Sequence, residues 1–341
     1  MKKIKGLLLV LLMAGSLAAQ KVSPIDSIRF FTDERLVEVT LNTDIKGLQN
    51  SKGDEVYQPA TITCRFPDST VINETIRIAA RGHFRRENCV IPPLLLNFRN
   101  ETSPQLSSLH KLKLVIGCAN SSTDEQLVLK EYLAYKTYNQ LDEKSFRVRL
   151  VRVTYQDSRS RIKTFSQYAF FIEDDDNMAE RLGYEAKKQM QIPAESTNRQ
   201  TMTMVALFEY MISNGDWSVP ALHNIKLIYK KNEQTVPHAV PYDFDHSGFV
   251  NAGYALPSEI LGTETVRERV YRGFARTMEE LQAALDVFRA KRNSINDMIN
   301  NFFYMSSRNK KELVEYLDEF YTTINNKNQV KSIFIDNART Q

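Results

Sequence analysis

The chain has 341 residues, of which 42% are hydrophobic, and this is enough to bury a large core in one large domain or two lobes. Its formal net charge of +4 is nearly balanced, which argues against nucleic acid or an anionic surface as the main partner. With only 12 glycines and 11 prolines, the composition also argues against fibrous and disordered classes.

The N-terminus has the pattern of a secretory signal peptide. Residues 1–20 begin with lysines, continue with an apolar run over residues 7–13 and end with small residues at Ala18 and Ala19. The apolar run is too short to span a bilayer, and no later stretch of the sequence is longer. We therefore predict a cleaved signal peptide and a mature protein that is periplasmic or secreted, without a transmembrane segment.

The next part of the chain is predicted to be rich in strands. Between residues 27 and 98, and again in HKLKLVIG, apolar and β-branched residues occur in the alternating runs that are typical of strands. Residues 122–141 then have the pattern of a long helix, with Ser121, Ser122 or Thr123 as its cap. Two further strands are predicted in FRVRLVRVTYQD and QYAFFIED.

The last part of the chain is predicted to be mostly helical. We expect helices in MAERLGYEAK and TNRQTMTMVALFEYMIS, followed by a short strand pair that carries polar motifs. From residue 263 to the end, including RERVYRGF, the pattern predicts helix almost throughout.

This order of elements predicts an α+β, two-lobed protein-kinase-like fold, with a strand-rich N-lobe and a helical C-lobe. The small lobe would cover residues 21–173, and the large lobe, with the catalytic and metal loops, residues 174–341. The acidic residues 173–176 would form the hinge between the lobes. The alternative for this acidic run is an ordinary solvated loop.

The three cysteines allow at most one disulfide within the chain. Cys89 and Cys118 both lie in turn-like sequence and can form a bridge in an oxidising compartment. Cys64 lies within a predicted strand and is expected to be a buried thiol. The spacing of the cysteines leaves their pairing open.

The stretch VPYDFDHSG, residues 240–248, places two carboxylates at the end of a short apolar strand. Residues i and i+2 of an extended chain point the same way, so Asp243 and Asp245 can face one cation, and Gly248 allows a sharp turn. The alternative is a turn stabilised by the aspartates, without a metal. We interpret the pair as metal ligands.

A second polar loop, NGDWSVPALHN, follows a predicted helix and precedes a predicted strand. Asp216 would orient or deprotonate an acceptor hydroxyl, and Asn224 would give its carbonyl oxygen to a metal. The alternative is that Asn214 and Gly215 merely end the helix, which is a common use of this pair.

Basic residues for phosphate binding occur in two places. Lys111 and Lys113 alternate on one strand, and Glu131 in the following helix would position Lys113, as strand lysines and helix glutamates do in kinases. The loop that begins with Arg81 and Gly82 can cover phosphates, although it lacks repeated glycines. The alternative for all of these is an ordinary charged surface.

Taken in order, IRIAARGHFRREN, KLKLV, LKEYLAY, NGDW, HN and YDFDHSG resemble the spore-coat CotH-like atypical protein kinase family, as a divergent secreted branch. The resemblance implies an exported kinase that uses ATP and Mg to phosphorylate protein side chains. It places Arg81 and Gly82 in the small lobe, Asp216 and Asn224 in the catalytic loop, and Asp243 at the metal. The family's lysine-rich strand is replaced here by CVIPPLLLNF, so the nucleotide lysine would be Lys111 or Lys113.

We therefore expect an exported phosphotransferase that uses ATP with Mg or Mn to phosphorylate a hydroxyl of an envelope or secreted protein. An alternative is a catalytically inactive pseudokinase that serves as a binding or scaffold protein of the envelope. A third possibility is a metal-dependent hydrolase. Its site would be built on His223, His238 and His246 with Asp243 and Asp245, for which the sequence has no typical metal-ligand spacing.

Overall fold

The computed structural model describes residues 26–51, 56–81, 89, 91–99 and 105–340. The predicted signal peptide and Gly82 lie outside the described residues.

Within the described residues, seven strands close into a barrel in the order β1-β2-β3-β4-β5-β7-β6. They are β1 (Val37–Thr43), β2 (Gln58–Arg65), β3 (Val71–Ala80), β4 (Leu94–Asn97), β5 (Lys111–Val115), β6 (Val148–Asp157) and β7 (Phe165–Ile172). β1 pairs antiparallel with β2 and parallel with β6, so the sheet has no free edge. Alternate residues such as Leu41, Ile62 and Ile76 are buried and fill a continuous core.

The predicted two-lobed protein-kinase-like fold is wrong, because the strands close into this barrel. The sequence located most of the strands correctly but contained no signal for the parallel pairing of β1 with β6, which brings Val37 opposite Val151. That contact is between strands far apart in the chain, and local alternation of apolar residues does not specify it.

Eight helices occur in the described residues, and the first three of them contact strands of the barrel. They are α1 (Ser27–Thr32), α2 (Ile45–Asn50), α3 (Ser122–Leu141), α4 (Asp175–Arg181), α5 (Arg199–Met211), α6 (Met278–Asn300), α7 (Ser307–Asn325) and α8 (Lys327–Lys331). A second buried core joins α3, α5, α6 and α7. α3 also packs on the barrel, where Tyr132 and Tyr135 contact Phe170 of β7.

The ends of these helices follow local sequence signals. Ser121 caps α3 by accepting a hydrogen bond from the Asp124 amide, and acidic residues occupy the first turn, as predicted. Thr277 and Glu280 form a capping box at the start of α6. The long predicted helix over residues 122–141 is thereby confirmed.

A small sheet holds the polar motifs beside the helices. β8 (Tyr184–Lys187), β9 (Ile225–Lys230) and β10 (His238–Pro241) form an antiparallel sheet in the order β10-β9-β8. The sequence predicted helix for residues 184–187, which instead pair with β9. It also predicted helix for residues 267–274, which form an irregular segment.

Cys89 and Cys118 form a disulfide across 29 residues, and Cys64 is a buried free thiol, as its strand position predicts. Disulfides are typical of proteins outside the cytoplasm. In the described ranges, every helix is too short or too polar to cross a bilayer.

Candidate active site

Two lysines from different sheets share one carboxylate. Lys113 of β5 places Nζ 3.4 Å from Asp175 Oδ1, and Lys226 of β9 places Nζ 2.8 Å from Asp175 Oδ2. Asp175 is the first residue of α4, which follows directly after the barrel. These three residues, here called the lysine cluster, therefore join the barrel to the small sheet.

The lysine cluster carries more positive than negative charge. Burial, together with the nearby charges of Arg81 and Lys226, lowers the pKa of Lys113 to about 8, although Asp175 opposes the shift. Burial also disfavours ionisation of Asp175, but the two lysines outweigh it and hold the pKa of this carboxyl below its usual value. Cations concentrated around one carboxylate in a partly buried place favour an anionic ligand.

The start of α4 is held in place by a buried ion pair. Glu173 is almost fully buried, and Arg181 donates from Nε to its carboxylate at 2.9 Å. Asp174 caps the helix through the amides of Asp176 and Asn177. The acidic run 173–176 is therefore not a solvated loop, because its members are used in structural pairs and in the lysine cluster.

Tyr242 connects the lysine cluster to the predicted metal ligands. Lys113 Nζ lies 4.6 Å and Lys226 Nζ 5.3 Å from the centroid of its ring, within cation–π range. Arg81, at the end of β3, also lies within electrostatic range of the Tyr242 hydroxyl. Asp243 is the next residue, and its carboxylate also lies within electrostatic range of the Tyr242 hydroxyl.

Asp216 lies in a hydrogen-bonded loop, residues 214–224, here called the Asp216 loop. His223 Nε2 is 2.7 Å from Asp216 Oδ1, and Asn224 Nδ2 donates to Asp216 Oδ2 at 3.2 Å and to its carbonyl at 2.7 Å. The backbones of Ser218 and His223 exchange two hydrogen bonds that close the loop. The Asp216 side chain remains 42% exposed, so its fixed carboxylate is accessible to another molecule.

The Asp216 loop is bonded directly to the segment that carries Asp243. The carbonyl of Asn224 accepts a hydrogen bond from the Tyr242 amide at 3.0 Å. The Asp243 amide in turn donates to the Tyr135 hydroxyl on α3 at 2.8 Å. Asn224 and Asp243 both have positive φ angles, 52° and 65°. Such backbone is uncommon outside glycine and frequent at functional sites, and asparagine and aspartate tolerate it best.

Asp245 faces a different environment from Asp243. β10 ends at Pro241 and Asp243 has a positive φ, so the extended geometry that would place both carboxylates on one side is absent here. Asp245 is buried, accepts a hydrogen bond from the Tyr254 hydroxyl at 3.0 Å and lines a cavity of about 10 Å³ with Glu131. Glu131 and Asp245 thus line the same small cavity. Lys113, which Glu131 was predicted to position, forms an ion pair with Asp175.

Asp243 and Asn224 carry oxygen donors of the kind that Mg²⁺ takes as ligands. In the part of the chain that the structure describes, no three His, Cys, Asp or Glu side chains converge as metal ligands. Mg²⁺ does not require such a group, because it is usually held by one or two carboxylates, water and substrate phosphates. The Asp243 carboxylate and the Asn224 amide oxygen supply that kind of oxygen ligand, with Asn224 held by its bond to Asp216.

A cavity of about 240 Å³ opens beside Asp216. Its wall includes His246, Ser258, Thr263 and Glu268, so the lining is polar and partly acidic. Two apolar side chains on the same segment, Leu256 and Ile260, are strongly exposed. Asp216 itself forms part of the wall of this cavity.

The remaining predicted residues take other positions. Lys111 lies over the ring of Tyr57 on the barrel. His238 contacts Thr201, and His246 contacts the Tyr254 ring, so each of the histidines of the hydrolase alternative has a different neighbour.

Sequence reasoning missed Asp175 and Lys226. Asp175 was included only in a predicted hinge, and Lys226 only in a strand, IKLIY, where it is one charge among apolar residues. The usable signal was a single charged residue in this otherwise apolar stretch, which follows the predicted ligand Asn224 directly.

No protein-family model matches this chain, and no curated protein is significantly similar to it.

Proposed function

We propose that this protein is a metal-dependent phosphotransferase that binds the phosphates of ATP between the lysine cluster and Asp243. The observation that carries the proposal is the position of Tyr242, whose ring contacts Lys113 and Lys226 and whose amide bonds to Asn224. A cationic group, a carboxylate and an amide oxygen thus adjoin, and phosphoryl transfer requires such a combination.

Within this proposal the cations hold the nucleotide. Lys113 and Lys226 contact phosphate oxygens, and Arg81 adds a third positive charge near Tyr242. Asp175 keeps both lysines in place between binding events, because it forms an ion pair with each of them. Burial lowers the pKa of Lys113 to about 8, and a bound phosphate would raise this pKa by stabilising the charged form.

Asp216 serves the acceptor. An acceptor hydroxyl in the adjoining cavity donates its hydrogen to the Asp216 carboxylate, and its oxygen forms the new bond to the γ-phosphorus as the bond to the β-phosphate oxygen breaks. His223 and Asn224 bind different oxygens of this carboxylate and fix its orientation. Asp243 and Asn224 would hold Mg²⁺ or Mn²⁺, and the bound metal neutralises phosphate charge.

The disulfide and the signal-peptide pattern favour an exported protein, so the acceptor would be a serine, threonine or tyrosine of an envelope or secreted protein. This placement also means that the nucleotide must be supplied outside the cytoplasm.

The proposal is tested by transfer of label from γ-labelled ATP, with Mg or Mn, to a mixture of peptides with serine, threonine and tyrosine hydroxyls. We expect labelled peptide with the wild-type protein and none with Asp216→Asn. The matched control is Asp286→Asn, an exposed carboxylate on α6. Nucleotide binding without any transfer by the wild-type protein would favour the inactive scaffold instead.

A further inference from the structure

A buried carboxyl lies beneath the Asp216 loop and has no role in the proposed mechanism. Glu209 belongs to the last turn of α5 and is 1% exposed. Its carbonyl accepts the Asn214 amide at 2.8 Å, which ties the start of the loop to the helix. Among the described residues, neither of its carboxyl oxygens has a hydrogen-bond partner. Buried polar atoms are nearly always bonded, so this carboxyl requires an explanation.

Further buried polar atoms of the Asp216 loop and of Arg272 also lack partners in the described part of the chain. They are Asn214 Nδ2, Trp217 Nε1 and Arg272 Nε. The Asn214 amide faces the Glu209 carboxyl but does not reach hydrogen-bond geometry. Among the described residues no cation forms an ion pair with Glu209, and an unpaired charge buried this deeply is costly, so we expect this carboxyl to be neutral.

Arg272 is the residue that holds the Asp216 loop from below. Its Nη1 donates to the carbonyls of Gly215 and Trp217, the latter at 2.7 Å. Its guanidinium also lies 4.9 Å from the centre of the Trp217 ring. The loop carbonyls on both sides of Asp216 thus depend on one cation, and the same cation lies within electrostatic range of Glu209.

The charged and titratable groups that face Glu209 come from three elements. Burial, with a smaller contribution from Asp216, raises the pKa of Glu209 to about 8 against the opposing effects of Asn214 and Arg272. From α3 the Tyr138 hydroxyl faces it as a neutral group, because burial raises the pKa of that tyrosine well above its usual value. Arg339 lies near Arg272 and, after burial, lowers the pKa of the guanidinium.

We propose that Glu209 is a positioning residue that is protonated in the active form, and that its ionisation draws Arg272 away from the Gly215 and Trp217 carbonyls. The proton leaves to solvent, and the new carboxylate competes for the guanidinium that holds the loop. The Asp216 loop then loses its support, so the site is switched off as pH rises. The consequence for activity rests on the proposed function, but the movement of the loop does not.

Trp217 allows the loop to be observed without any assay of activity. It is the only tryptophan of the chain, it is buried, and it stacks on Arg272. With excitation at 295 nm, we expect its emission to shift to longer wavelength between pH 7 and 9, with a midpoint near pH 8. In Glu209→Gln, which imitates the protonated carboxyl, we expect no transition in this range.

The absence of a transition in the wild-type protein, or the same transition in Glu209→Gln, would overturn the proposal. A loss of helical circular dichroism over the same pH range would also contradict it, because the movement would then be global unfolding. If Glu209→Gln does not fold, Arg272→Gln decides the question. Without the cation that Glu209 would draw away, the loop lacks this support at every pH, so we expect no Trp217 transition between pH 7 and 9 in this variant, and an unchanged wild-type transition contradicts the mechanism.

Discussion

Asn224 accepts a backbone hydrogen bond from Tyr242 at 3.0 Å, and this bond joins two segments that come from different parts of the small sheet. One segment carries Asp216, and the other carries Asp243 next to a tyrosine in contact with two lysines. The proposed site therefore depends on the pairing of β9 with β10. It also depends on the approach of β5, which carries Lys113, to Tyr242.

Removal of a lysine from the cluster should weaken binding of ATP with Mn²⁺. Lys113→Met and Lys226→Met each remove a contact between an ammonium group and a phosphate oxygen. Such a contact contributes about 1.5–3 kcal/mol, or roughly 10- to 100-fold in affinity. Calorimetric titration at low salt measures the effect. Lys111→Met is the matched control, because Lys111 lies on the same strand but contacts Tyr57. Equal losses in Lys111→Met and Lys113→Met would show that no defined site is present.

Asp216→Asn should abolish phosphate transfer while nucleotide binding is retained. A positioned base contributes roughly 10²- to 10⁴-fold to the rate of proton transfer, and the amide cannot accept the proton. The substitution leaves an oxygen for His223 or Asn224, so the loop should keep its fold. The measurement is the transfer rate together with the affinity for ATP. An unchanged rate would remove Asp216 from the mechanism.

Gly248→Ala should destabilise the protein although Gly248 does not have a positive φ angle. A Cβ atom there would lie 2.6 Å from the Val266 carbonyl oxygen and 2.6 Å from the Tyr316 hydroxyl. Overpacking of this kind costs about 1–3 kcal/mol in the free energy of unfolding, measured by denaturant titration. Gly253→Ala is the control, since a Cβ there meets nothing within 4 Å. If Gly248→Ala is as stable as Gly253→Ala, the backbone at Gly248 does not lie this close to Val266 and Tyr316.

The stability of the protein should depend on pH through Glu209. Its pKa rises on folding from 4.5 to about 8, so the folded state binds more protons between these values. The stabilisation is complete below pH 4.5 and is lost as pH rises through 8. The free energy of unfolding of Glu209→Gln, relative to the wild-type protein, should therefore increase by about 1.4 kcal/mol per pH unit in this window. A difference that does not change with pH would place the carboxyl in contact with water.

Reduction of the Cys89–Cys118 disulfide should lower the melting temperature. The bridge closes a segment with a sequence separation of 29 residues, and the loss of such a constraint costs about 3–4 kcal/mol by the loop-entropy relation. Melting curves with and without reductant, compared with a Cys89→Ser, Cys118→Ser variant, measure this. Reductant should have no further effect on the variant, and a comparable further effect would point to another cause.

Local patterns in the sequence predicted individual helices and strands better than they predicted how the strands are arranged. The helix over residues 122–141 followed from its cap and periodicity, and both kinds of signal are local. Closure of the barrel was missed because it depends on β1 meeting β6 across more than a hundred residues. The strand at residues 184–187 was also missed, since its pairing with β9 decides its conformation.

The candidate site was also predictable only in part, because some of its residues meet through contacts between distant parts of the chain. Asp216, Asn224 and Asp243 stand out because polar residues follow apolar elements at short spacing. Asp175 does not stand out, since its role depends on lysines from two distant strands. The spacing of Asp243 and Asp245 predicted that both side chains point to the same side of a strand. The positive φ at Asp243 shows that the backbone is not extended there, so this prediction fails.

The most direct test of the account is a thermal-shift titration with ATP and Mn²⁺ of the wild-type protein, Asp243→Ala and the surface variant Asp286→Ala. A ligand that binds the folded state raises the melting temperature by mass action. We predict a rise for the wild-type protein and Asp286→Ala that is lost in Asp243→Ala. The absence of any rise in the wild-type protein, or an equal rise in all three, would contradict a metal–nucleotide site at Asp243.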